Sequence, residues 1–196
     1  MKRIISLTLI MILALSLFAS CGKTAENEET QTENLTHHKI LFTMENGETF
    51  TIETYPEYAP QTCDNFVNLA QEGFYNGLTF HRVIENFMAQ GGMSTEKQAA
   101  TITGEFAANG YEGNTLKHTR GIVSMARAND MNSASSQFFI CYTDCPNLDG
   151  NYAAFGEVVE GMETVDAFLD IERVYSGREL SSPKTPIVIK TAEVIE

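Results

Sequence analysis

The 196-residue chain has no tryptophan, only five prolines and four cysteines, and half as many basic residues as acidic ones. So few prolines beside 14 glycines exclude a collagen-like or proline-rich extended chain, and four cysteines are too few for a disulfide-dense scaffold. With Lys+Arg 13 against Asp+Glu 26 the formal net charge is −13. Such a surface repels phosphate backbones and anionic headgroups, so nucleic acid is not an expected partner. What is present is ordinary for a globular domain: 43% hydrophobic residues, 20% charged and 10% aromatic. The length past residue 37 suffices for one domain with a self-sufficient core.

The only long apolar run lies at the start. Lys2 and Arg3 precede Ile4 to Ala19, then small Ser20 and Cys21. The run is too short for a membrane span and has the flanks of a secretory signal peptide, residues 1–20. Leu17-Phe18-Ala19-Ser20-Cys21 resembles the lipobox of bacterial lipoproteins, with Phe18 where Leu is usual. The resemblance implies lipidation of Cys21 and a membrane-anchored protein of the cell envelope. Residues 22–37 have no apolar periodicity and four Glu, so residues 21–37 read as a lipidated Cys with a flexible acidic tether. The domain is expected over residues 38–196.

Beyond the tether the pattern is β-rich. Ile40, Phe42 and Met44 alternate with Lys39, Leu41 and Thr43, Asn46-Gly47 marks a hairpin turn, and Phe50 and Ile52 line the inner face of a return strand over Thr49 to Thr54. Pro60 opens a helix with Cys63, Phe66, Val67 and Ala70 at helical spacing and Gly73 beyond its end. Strand patterns recur at Leu78–Ile84, Phe87–Gln90, Ile122–Met125, Gln137–Cys141, Ala153–Val159 and Pro186–Ile195, and a second helix is expected over Met162–Ile171. Many short strands with two helices predict a mainly β fold, a barrel or a sandwich, and a closed antiparallel sheet with the two helices plugging its open ends would bury both apolar stripes and leave no exposed edge. Cys63 lies on an apolar helix face; Cys141 and Cys145 are either buried thiols or, in an exported protein, a disulfide. His37, His38, His81 and His118 show no metal-ligand spacing, so no metal or other cofactor is expected. Ser124, Ser135 and Ser136 show no motif joining them to a His and an acid, so no nucleophilic triad is expected either.

Three segments carry the chemistry: Phe80-His81-Arg82-Val83-Ile84-Glu85-Asn86-Phe87-Met88-Ala89-Gln90-Gly91-Gly92, Gly121-Ile122-Val123-Ser124-Met125-Ala126, and Ser136-Gln137-Phe138-Phe139-Ile140. In order and spacing they resemble the signature segments of cyclophilins, the peptidyl-prolyl cis-trans isomerases, and Leu148-Asp149-Gly150 and Phe155-Gly156-Glu157 extend the likeness over residues 38–196. The chemistry implied is undemanding in groups but demanding in geometry. Rotation about an X-Pro bond meets a barrier of about 18–20 kcal/mol from lost resonance, and no bond is made or broken. A rate gain of order 10⁵ needs only about 7 kcal/mol of differential stabilisation. A fixed cationic donor aimed at the pyramidal prolyl nitrogen of the twisted state supplies it selectively.

The resemblance implies a closed eight-stranded antiparallel β-barrel capped by the two helices, and it assigns that donor to Arg82, with Phe87 and Gln90 as its catalytic companions. It assigns substrate binding to Met88, Phe139 and Leu148 in a proline slot, to Gln137 and Tyr152 beside it, and to the backbone of Ala126, Arg127 and Ala128 along the peptide. Arg127 stands where many members have Asn and adds a charge suited to an acidic residue before the proline. Asn147 stands where many have Trp, which removes the indole that cyclosporin-type ligands use, and Tyr152 stands where His is common. Met93 to Ala100 replace the usual Gly-rich loop, and Asn129 to Ser135 hold one extra residue. Alone, Arg82 would read as a surface arginine and Phe87, Met88 and Phe139 as core; their co-occurrence with Gln90 carries the pocket reading. His81 reads as a buried, hydrogen-bonded structural imidazole. The expected function is prolyl isomerisation in exported polypeptides by a monomer. A proline-peptide binding module with little turnover is the alternative, and a solute-binding lipoprotein lacks its expected two-lobed α/β pattern.

Overall fold

The computed structural model describes residues 35–196. The leader, Cys21 and tether residues up to 34 lie outside the described residues. Eight antiparallel strands close into a barrel: β1 (Lys39–Met44), β2 (Thr49–Thr54), β3 (Thr79–Ile84), β4 (Met88–Gly91), β5 (Ile122–Met125), β6 (Phe138–Cys141), β7 (Ala154–Glu160) and β10 (Ile187–Val194). Their order around the barrel is β1-β10-β3-β4-β6-β5-β7-β2. Closure leaves no free sheet edge, which removes the pairing hazard of an open β fold. A separate two-stranded hairpin, β8 (Arg173–Ser176) and β9 (Glu179–Pro183), stands outside the barrel and packs on β3. The sequence reading missed this hairpin.

The interior is filled by rings. Phe42 stacks on Phe50 at 4.9 Å, and Phe66 lies 4.8 Å from Phe155 and 5.2 Å from both Tyr75 and Phe138. Phe66 comes from α1 (Pro60–Gln71), which packs on β10 and β7 and turns Thr62, Cys63, Phe66, Val67, Leu69 and Ala70 inward. The helix ends as its sequence demands. Gly73 adopts φ +65°, its N–H donates to Ala70 O and the N–H of Phe74 donates to Leu69 O, both at 2.9 Å, so a left-handed glycine satisfies the last carbonyls. Its start is not capped locally, because Ala59 supplies no side-chain acceptor. Glu105 reaches in from a loop instead, accepting from Gln61 N at 3.0 Å, Thr62 N at 2.8 Å and Thr62 Oγ1 at 2.6 Å. A buried carboxylate at a helix N-terminus meets both the free N–H groups and the positive end of the dipole.

The second helix is shorter than its periodicity implied. α2 (Met162–Asp166) continues as a 3-10 turn over Ala167–Asp170, with Val165 and Phe168 buried and Met162 and Leu169 half-buried. His37, placed in the tether by composition, is held to the domain: its ring nitrogens lie 3.2 Å from Glu53 Oε1 and 3.0 Å from Glu57 Oε2, and the ring meets Tyr55 at 5.4 Å.

One irregularity decides the site. Strand alternation would place Arg82 on the same face as Phe80, inside the barrel. The register of β3 against β4 slips between Phe80 and Arg82, so Phe80 pairs with Gly91 while Arg82 pairs with Gln90. This bulge leaves Phe80 and Val83 buried inside and turns His81 and Arg82 outward.

Candidate active site

The register carries Arg82 into a cross-strand row on the outer wall. Arg82 on β3 pairs with Gln90 on β4, Gln90 with Phe139 on β6, and Phe139 with Ser124 on β5. The next outward row joins Ile84, Met88 and Cys141. Between these rows, Val83, Ala89, Ile140 and Val123 pair in turn and point into the core. An outer face bearing Met88, Phe139 and Cys141 is apolar where a barrel normally meets water, and these side chains form a second buried cluster with Cys145 and Leu148.

Over that cluster lies a hollow of about 110 Å³, lined by Arg82, Phe87, Met88, Gln90, Ala126, Arg127, Phe139, Leu148 and Tyr152. Two of the expected residues are placed otherwise. Gln137 touches the hollow only through Gln90, whose Nε2 donates to Gln137 Oε1 at 3.0 Å. Ala128 lies outside the lining; its N–H donates to Ser133 Oγ at 2.9 Å and its carbonyl accepts from Arg127 Nη1 at 2.9 Å, so its donor is not free for a peptide.

Three of the guanidinium donors of Arg82 are engaged. Nε and Nη2 donate to the two carboxylate oxygens of Glu179 at 2.7 and 2.8 Å, and Nη1 donates to Gln90 Oε1 at 3.2 Å. Its Cζ stands 6.0 Å from the Phe87 ring centroid. An arginine has five N–H groups, so donors remain for a bound group. The Arg82 guanidinium holds the Glu179 carboxyl below the usual carboxylate range. Glu179 does not line the hollow but grips Arg82, and sequence reasoning did not find it. Arg127 is pinned at the rim: its Cζ lies 4.7 Å from the Tyr152 ring centroid and 5.1 Å from that of Phe106, and Nε and Nη2 donate to Asn151 O.

Behind the hollow the expectation about Ser124 is corrected. Its Oγ lies 3.0 Å from His118 Nε2, and His118 Nδ1 lies 3.0 Å from Asp149 Oδ1, a Ser-His-Asp chain assembled from residues far apart in sequence. Ser124 is fully buried and His118 only 2% exposed, so no substrate carbonyl reaches the hydroxyl. The chain instead supports the pocket floor, because the His118 ring stacks against Phe139 at 6.1 Å, with Phe139 meeting Tyr152 edge-on at 5.9 Å. Burial pushes the His118 imidazole below its ordinary pKa of 6.5. His81 is half-buried, and its Nδ1 has no hydrogen-bond partner, so the imidazole expected to be satisfied is not fully so. Cys63, Cys141 and Cys145 are buried and unbridged, which decides for thiols over the Cys141–Cys145 disulfide. Burial pushes the Cys63 thiol up to about 12 and the Cys141 thiol well above its usual range.

A closed eight-stranded barrel with an apolar slot and a clamped arginine on its outer wall defines the class of protein, and among the described residues the slot is lined by no Ser, Thr, Cys or Lys. Residues 39–194 match the family described as cyclophilin type peptidyl-prolyl cis-trans isomerase/CLD. The chain is 40% identical over 143 residues to peptidyl-prolyl cis-trans isomerase A of Dickeya dadantii (strain 3937), covering 70% of this chain and 75% of that protein. It is 37% identical over 165 residues to peptidyl-prolyl cis-trans isomerase B of Escherichia coli (strain K12), covering 80% and 99%. A cyclophilin type peptidyl-prolyl cis-trans isomerase of Cryptosporidium parvum, solved in the presence of the dipeptide Ala-Pro, superposes with a TM-score of 0.67 at 30% identity, covering 81% of this chain and 99% of that one. The chain therefore belongs to the cyclophilin family and is a peptidyl-prolyl cis-trans isomerase.

Proposed function

We propose that the hollow on the outer wall binds the proline of an extended polypeptide and that Arg82 carries the rate enhancement. The observation behind this is that one guanidinium lines the same hollow as Phe87, Met88, Phe139 and Leu148 while Gln90 binds it from the neighbouring strand. Apolar walls accept the pyrrolidine ring and exclude water, which strengthens a donor aimed at the prolyl nitrogen as its lone pair is freed. Gln90, oriented by Gln137, holds the substrate carbonyl on one side of the rotating bond. Ala126 and Arg127 line the side along which the preceding peptide runs, and the pinned guanidinium of Arg127 favours an acidic residue there. Tyr152 closes the rim, and helices α1 and α2 serve as lids of the barrel ends, a role supported by the burial of Phe66 and Val165. The Ala-Pro dipeptide of the Cryptosporidium structure supports proline-containing peptides as ligands.

The test is the exchange rate of an Ala-Pro peptide followed by NMR with wild-type protein and with Arg82→Ala. Loss of one preorganised donor predicts a fall in kcat/KM of about 10². Full binding with no acceleration by the wild type would favour the binding-module reading.

The same proposal places the enzyme outside the cytoplasm. Lys2, Arg3, the apolar run to Ala19 and Cys21 support an exported, lipid-anchored protein acting on exported polypeptides at the cell envelope, with the acidic tether as its reach. Incorporation of a labelled fatty acid, lost in Cys21→Ser, tests the anchor.

A further inference from the structure

The carboxylate that grips Arg82 comes from outside the barrel. We infer that Glu179 is a positioning residue of the isomerase site: the β8–β9 hairpin presents it beside β3 so that the guanidinium plane of Arg82 is fixed toward the hollow. The inference rests on the reading that Arg82 carries the rate.

The geometry is side-on and bidentate. Nε and Nη2 form one edge of the guanidinium, and both are bonded to Glu179, at 2.7 and 2.8 Å. Paired parallel bonds of this kind fix a plane as well as a position. Without them the long side chain is held by the single 3.2 Å bond from Nη1 to Gln90 Oε1. A bond through one terminal nitrogen leaves the plane free to rotate, and the donors left for substrate rotate with it.

Glu179 also acts in the opposite sense, because a carboxylate lowers the positive potential that Arg82 presents. The two effects are separable by exposure. The side chains are 34% and 42% exposed, so water screens the field of the carboxylate, whereas the fixed geometry is not screened. Orientation therefore outweighs field, and removal of Glu179 slows the reaction. The hairpin is otherwise unemployed by the core: Val174, Tyr175 and Leu180 on it are exposed, and only Ser181 is fully buried. Glu179 contributes no packing to the aromatic interior, so a change there tests position and not folding.

The experiment measures kcat and KM for an Ala-Pro peptide, the thermal midpoint and the Arg82 Nε–Hε NMR correlation in wild type, Glu179→Gln, Glu179→Asp, Arg82→Ala and the double variant Arg82→Ala/Glu179→Gln. The expected result is a fall in kcat of about tenfold in Glu179→Gln, the scale of one charge-assisted hydrogen bond. KM moves less than twofold, the melting point is unchanged, and the Arg82 Hε signal shifts and exchanges with water. Glu179→Asp, which keeps both oxygens, recovers part of kcat. In the Arg82→Ala background Glu179→Gln has no effect, because the two changes act through one group. A Glu179→Gln rate within twofold of wild type, or above it, while Arg82→Ala falls by about 10², overturns the positioning role and leaves the Arg82 reading standing. Equal rates for wild type and Arg82→Ala overturn both.

Discussion

Replacing Arg82 by lysine separates geometry from charge, since the two residues share a positive charge but not a fork of donors. The structure commits three guanidinium bonds to Glu179 and Gln90 and leaves the remaining donors for substrate. A lysine ammonium has three donors on one atom, and the Glu179 carboxylate is the strongest acceptor within its reach. Held there, it presents nothing directed to the hollow. If charge alone carried catalysis, the substitution would be nearly silent: two unit charges about 4 Å apart interact by about 4 kcal/mol at an effective dielectric constant of 20 whichever side chain bears the cation. If directed donors carry it, Arg82→Lys approaches the deletion, and a loss of at least about 30-fold in kcat/KM follows, roughly 2 kcal/mol. Fold stability should barely move, because the ion pair that changes is half-exposed and such pairs contribute at most about 1 kcal/mol. The assay is NMR exchange of an Ala-Pro peptide, with urea unfolding as the control for stability. Arg82→Lys within threefold of wild type, at unchanged stability, would refute the argument from donor geometry.

Two further outcomes follow from the described geometry. Glu105→Ala strips the start of α1 of three bonds to a buried carboxylate and leaves Thr62, itself fully buried, without that partner; a loss of about 3 kcal/mol and a fall in Tm of about 6–12 °C are expected by calorimetry, and a fall under about 2 °C would show that water replaces the cap. His118 is held below 6.5 by burial, so the folded state binds fewer protons than the unfolded one; its contribution to stability is complete above pH 6.5 and is lost as the pH falls below 6.5 through the folded value. Urea midpoints should drop between pH 7.5 and 5.5, in a window above the ordinary carboxylate range, and an NMR titration of the His118 ring with a midpoint at or above 6.5 would contradict the assignment.

Most of the fold was legible because its elements obey local rules. The Lys39–Met44 and Thr49–Thr54 strands have the boundaries that alternation around Asn46-Gly47 implies, and α1 starts at Pro60 and stops before Gly73 for the reasons its residues give. The β8–β9 hairpin was not legible, since each strand offers one or two apolar residues that stay exposed, and no core face imprints a period on it. Val174-Tyr175, the Ser176-Gly177 turn and Leu180 were the available signal. The Ser124-His118-Asp149 chain escaped for another reason. His118 and Asp149 are 31 residues apart, and only pairing of β5 with β6 beside the loop that carries Asp149 brings them together.

The site itself left a trace in the sequence of a kind that strand alternation makes interpretable. In a barrel, residues alternate between core and solvent, so a strand apolar on both faces must have its outer face covered or used. Phe138-Phe139-Ile140-Cys141 is such a strand: Phe138 and Ile140 pack inside, while Phe139 and Cys141 face outward and are nevertheless buried. β4 repeats this with Met88 outward and Ala89 inward. On β3 the three-residue spacing of Phe80 and Val83 breaks alternation and marks the bulge, which is why Arg82 joins the outer face and not the core. The apolar outer patch and the misplaced cation are therefore one feature. The doubled apolar strands make the floor, and the bulge delivers the charge to its edge. Deleting His81 would leave Phe80 and Val83 inward with Arg82 between them outward, so a regular strand would still hold the cation at the edge of the patch; the variant should keep its acceleration of Ala-Pro exchange, and its loss would show that the bulge sets more than the face Arg82 occupies.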